Sequence, residues 1–131
     1  MKKMLFIAAL VVFVFAGSVQ AQEKPKWNEL EAFHEVMSKT FHPAEEGKLE
    51  PIRSRSQEMV DKAVAWNSSS PPAGYDKNAV KKNLKKLVTG AKAINKLVQN
   101  KATDNEIKEQ LSSLHDVFHE IVEKCEKEDH H

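Results

Sequence analysis

The chain of 131 residues carries 20 basic and 19 acidic side chains, six histidines and a single cysteine. A formal charge of +1 gives no overall attraction to nucleic acid or to an anionic membrane. One cysteine excludes an intramolecular disulfide.

In chain order, Lys2 and Lys3 precede the uncharged apolar run MLFIAALVVFVFAG, which ends in the small residues of SVQA. A basic start, a short apolar run and small residues at a cleavage point make a secretory signal peptide, expected over residues 1–21 with cleavage after Ala21. The run is short for a transmembrane helix, so no stable membrane insertion is expected after cleavage. Residues 22–131 then form one exported, periplasmic domain of about 110 residues. Without Lys2 and Lys3 it holds 18 basic against 19 acidic groups. Packing, a ligand or homodimerisation must stabilise it in place of disulfides. Cys125 is either a buried side chain, a ligand or a cross-link between two copies.

The remainder predicts four amphipathic helices, over about 26–41, 50–68, 76–100 and 104–126. The first has the stripe Trp27, Leu30, His34, Met37 and Phe41, with Phe33 widening it. That places His34 in a core seam, and HPAEEG at 42–47 is expected to break the helix. The second opens with Pro51 in its first turn, where a missing N–H costs nothing, and carries Ile52, Met59, Ala63 and Trp66. NSSSPPAG at 67–74 is a loop. Asp76 is the expected N-cap of the third helix, whose stripe is Val80, Leu84, Leu87, Ala91, Ile94 and Leu97 or Val98. Gly90 marks a weak point or a close approach. The cluster Lys77, Lys81, Lys82, Lys85 and Lys86 reads most simply as a solvated face, with docking onto an acidic partner as the alternative. Thr103 with Glu106 is a capping box that opens the fourth helix. Its seam is Ile107, Leu111, Leu114, Phe118, Ile121 and Cys125. Helices of this kind with short connections predict an all-α, antiparallel up-down-up-down four-helix bundle.

The fourth helix reads SLHDVFHEIVEKC, with His115 and His119 one helical turn apart. First and last helices are neighbours in such a bundle. Setting Phe41 against the Leu111 region places His34 opposite Phe118, at the depth of both histidines. His34, His115 and His119 are therefore the expected metal ligands, with His42 or Glu35 as additions. Neutral imidazole suits zinc and copper, and three such ligands leave a fourth position open. Asp116 and Glu120 point about 100° away from their histidines and fit supporting roles better. The glutamate that a zinc protease needs beside its first histidine is replaced by Asp116. No nucleophile–base pair or phosphate-binding loop is present, so a dedicated enzyme is not expected. His130 and His131 read as a tail.

An exported chain of four helices with candidate ligands on the first and last resembles the periplasmic bundle cytochromes, the soluble b-type family and cytochrome c-prime. The resemblance covers the domain as architecture. It implies a haem b held non-covalently, with Met37 and His115 as axial ligands and electron transfer as the role. The covalent attachment pattern Cys-x-x-Cys-His is missing, since Cys125 is followed by Glu126 and Lys127, so the covalent haem of cytochrome c-prime is not implied. The residues themselves point first to a metal-binding bundle for sequestration, sensing or delivery. A cofactor-free structural or chaperone-like protein is the third expectation.

Overall fold

The computed structural model describes residues 26–124. The leader, Cys125, His130 and His131 fall outside the described residues. Among those described are four α-helices and no strand: α1 Asn28–Glu45, α2 Glu50–Ser68, α3 Lys77–Gln99 and α4 Asp104–His119. A π-helical turn, Glu120–Lys124, continues α4. Each helix packs on its neighbours in the chain and α1 packs on α4, while α1 and α3 do not touch among the described residues. The result is a closed ring of four helices around one core, a helical bundle.

The core follows the predicted stripes on three helices. Ile52, Met59, Ala63 and Trp66 of α2 are fully buried, as are Leu87, Ala91 and Ile94 of α3, Ile107 and Leu111 of α4, and Ile121 of the π-helical turn. Each large side chain of this kind contributes about 1.5–3 kcal/mol on burial. Trp66 sits among rings, with Trp27 at 5.7 Å, Phe33 at 5.5 Å and Phe118 at 5.9 Å between centroids. Its indole nitrogen finds no acceptor among the described residues. Trp27 instead donates Nε1–H to Ser69 Oγ at 2.9 Å, which fastens the start of α1 to the end of α2.

The first helix departs from expectation in two ways. Its buried face is Phe33, Val36, Met37, Thr40, Phe41 and Ala44. At 100° per residue His34 lies roughly 90° from the middle of that face. His34 is therefore exposed on the shoulder, and its placement in the core seam is corrected. The helix also does not break at His42. It runs through Pro43 to Glu45, because a proline in the last turn sacrifices only one intrahelical bond. The stop comes later. Gly47, at φ 88°, donates its N–H to Ala44 O, and Lys48 donates to Pro43 O, both at 2.9 Å. That pair of bonds is a Schellman motif.

The capping signals appear as read. The Asp76 carboxylate accepts from the backbone N–H groups of Asn78 and Ala79. Thr103 and Glu106 exchange both bonds of a capping box. Gly90 is a close approach, since a Cβ there would lie 2.8 Å from Leu114 Cδ1. Arg53 of α2 holds the α3–α4 connection by donating to Ala102 O at 3.0 Å and to Asp104 at 2.6 Å.

Candidate functional site

On the flank where α1 meets α4 a groove of about 320 Å³ opens, lined by His34, Met37, Ser38, Phe41 and His42 of α1 and by His115, Phe118 and His119 of α4. The α1 residues recur at one-turn intervals along the shoulder of the buried stripe. The α4 residues do the same beside Leu114, Phe118 and Ile121. Four histidines from two helices thus share one surface depression. His42 reaches it on the helix itself, because α1 continues past the expected break.

The aromatic contacts are reciprocal. Phe41 of α1 stacks on His115 of α4, with centroids 3.9 Å apart and planes 5° from parallel. Phe118 of α4 stacks on His34 of α1 at 5.3 Å and 6°. The pairing of His34 with Phe118 is the one expected from sequence. Phe41 lies against His115, one turn along from the Leu111 region.

The tightest polar geometry is on α4. His115 Nε2 and His119 Nε2 are 3.3 Å apart. Two nitrogens bound at about 2.0–2.1 Å to one tetrahedral ion stand roughly this far from each other. On its other side the His119 Nδ1 is 2.9 Å from Glu123 Oε2. In the neutral ring Nδ1–H donates to that carboxylate, which can only accept, and Nε2 keeps its lone pair. A carboxylate behind a ligating histidine is the usual means of fixing its tautomer and orientation. Glu123 was not among the residues singled out from sequence, although its position four after His119 is a helical contact.

His115 is half-buried under Phe41. Burial pushes its pKa below the ordinary 6.5, the nearby His119 and His42 push the same way, and Asp116 and Glu45 act against them. The ring is thus held neutral, the form in which imidazole binds metals.

The remaining expected residues occupy other settings. His34 Nε2 lies 3.3 Å from the Ser38 hydroxyl, and both His34 and His42 are exposed. Met37 is only 1% exposed, so it forms the apolar floor. Glu35 faces away, 3.0 Å from Arg55 and 3.8 Å from Lys39. Arg55 also bonds Glu58 through Nε at 2.8 Å, and this partner holds the Glu58 carboxyl below its ordinary pKa. As the side chains stand, no three His, Cys, Asp or Glu groups among the described residues are set to hold a metal ion. The α4 pair presents two nitrogens to the groove, and the exposed rings of His34 and His42 line its α1 wall.

Comparison with protein-family models, with curated proteins and with solved structures finds no match to this chain.

Proposed function

We propose that this chain is a small exported protein that binds a transition-metal ion in the α1–α4 groove, for sequestration, sensing or delivery in the periplasm. The signal-peptide pattern over residues 1–21 supports export. An antiparallel packing of α1 on α4 is supported by the ring contacts, since positions 34 and 41 on α1 meet 118 and 115 on α4 in reversed order. The observation that carries the function is the His115–His119 pair at 3.3 Å with Glu123 behind it. His115 and His119 supply two nitrogens, His34 or His42 a third, and water or another donor closes a four-coordinate site. Zinc and copper(II) both suit such a set. The role in this reading is binding and release.

The test is metal content of the untagged protein after equilibration with zinc or copper and removal of excess metal. About one equivalent should remain per chain, and a His34→Ala/His115→Ala/His119→Ala variant should retain far less. Equal content in the two proteins, or none in either, sinks the reading.

A haem b reading has one observation in its favour. Met37 and His115 line the same groove from facing helices. It is the weaker reading, because Met37 is only 1% exposed in the core and the His115 Nε2 is directed at His119. Haem titration should give no Soret shift typical of axial ligation, whereas a saturable Soret band lost in Met37→Leu would favour haem over the metal ion.

A further inference from the structure

The lysine cluster of α3 is larger and more isolated in the fold than the sequence pattern alone conveys. Between Asp76 and Asp104 the chain contains eight lysines and no acidic residue. Every one of those lysines is exposed, and none forms an ion pair among the described residues. Seven lie on α3 itself, where they cover about half of the circumference over a length of roughly 28 Å. Of the two acids that flank this stretch, Asp76 is the N-cap of α3, and Asp104 lies in the first turn of α4, paired with Arg53. Most other carboxylates belong to α1, α2 and α4, and α1 stands diagonally across the ring from α3. At physiological ionic strength charges separated by more than about 8 Å are screened from one another. The near-neutral total therefore does not cancel the α3 face at close range.

The chemistry of the patch narrows its partner. It contains no arginine; both arginines of the chain, Arg53 and Arg55, are engaged in pairs within the bundle. Arginine is the side chain for bidentate recognition of a defined carboxylate or phosphate, and lysine acts as a point charge. No aromatic ring interrupts the stripe to stack on bases. No large hydrophobic side chain is exposed on α3, so a packed protein interface has no anchor there. A convex stripe of unpaired ammonium groups fits a broad, diffuse anionic plane.

We propose that the outer face of α3 docks the protein on the surface of a bilayer containing anionic phospholipid. Docked this way, the bundle turns α1 away from the lipid and leaves the α1 side of the histidine groove in solvent. The inference rests on the α3 charges and stands whether or not the groove takes a metal.

The experiment is co-sedimentation of the exported protein with vesicles of phosphatidylcholine alone, or with about 30% phosphatidylglycerol. Binding to the anionic vesicles should be about tenfold or more stronger and should be lost near 0.5 M salt, as expected for roughly additive lysine contributions. Lys81→Gln/Lys82→Gln/Lys85→Gln/Lys86→Gln should weaken it at least about tenfold with an unchanged melting curve. Lys39→Gln/Lys48→Gln/Lys108→Gln, on the other helices and a loop, should leave it within about twofold. Equal binding to both vesicle types, equal loss in the two variants, or tighter binding to duplex DNA than to the anionic vesicles at matched phosphate would each overturn the proposal.

Discussion

Glu123→Gln separates a carboxylate that orients a ligand from one that merely decorates a helix. The replaced group accepts from His119 Nδ1 at 2.9 Å, with side chains 46% and 61% exposed. An exposed i,i+4 pair of this kind contributes about 0.3–0.5 kcal/mol to folding at most, so the melting temperature should barely move. Metal affinity should respond differently. Loss of an outer partner to a ligating histidine typically weakens binding about 10–100-fold, which is about 1.4–2.7 kcal/mol. The amide can still accept from Nδ1–H through its oxygen. It lacks the negative charge that raises the basicity of Nε2, so the effect should sit toward the lower end. Competition titration against a chromophoric chelator measures it for zinc and copper. A dissociation constant within about twofold of the parent would mean that Glu123 does not act on a metal ligand, and the tautomer argument for His119 would fail with it.

Three further outcomes follow from the geometry. The folded His115 ring gives up its proton more readily than in the unfolded chain. From pH 6.5 downward the unfolded chain takes up a proton that the fold resists, and stability falls. The NMR titration of His115 should have its midpoint below 6.5; a midpoint above it refutes the burial argument. Lys101 closes α3 at φ 56°, with its N–H on Val98 O and that of Ala102 on Leu97 O. Lys101→Gly relieves a left-handed strain of about 1–2 kcal/mol and adds unfolded-state entropy worth about 0.4–1 kcal/mol. The two backbone bonds make a Schellman motif, so the net should be a small rise in stability by urea melt, and a clear fall would contradict that assignment. Gly90→Ala gains about 1 kcal/mol in helix propensity but drives a Cβ to 2.8 Å from Leu114 Cδ1, and Leu114 is only 2% exposed. Repacking costs about 1–3 kcal/mol, so the variant should not gain stability, and a rise in Tm of about 4 °C or more would show that the helices do not approach closely there.

The helices were readable because their apolar periods are long and their caps are local. Asp76, Thr103 with Glu106, and Pro51 act on backbone groups within one turn of themselves, so spacing alone identifies them. The end of α1 was less readable. Pro43 looks like a breaker, yet the terminating bonds are made by Gly47 and Lys48 to Ala44 and Pro43, and only the backbone reveals them. The exposure of His34 is hidden in the sequence because Trp27, Leu30, Met37 and Phe41 make a regular seam. Phe33, Val36, Thr40 and Ala44 share the burial and turn the face away from His34. The shared level of His34 and the α4 histidines followed from simple counting along facing helices. Glu123 was missed because a carboxylate four residues after a histidine is common, and its meaning depends on which way the imidazole turns.

In the function proposed for this protein, His115 and His119 form half of a metal centre. A crystal structure of the zinc-loaded protein with anomalous scattering at the zinc edge tests it most directly. The expected result is one ion with both Nε2 atoms at about 2.0–2.1 Å, Glu123 on the His119 Nδ1, and an α1 histidine turned toward the ion. An ion bound elsewhere, with the His115–His119 pair left free of metal, would contradict it.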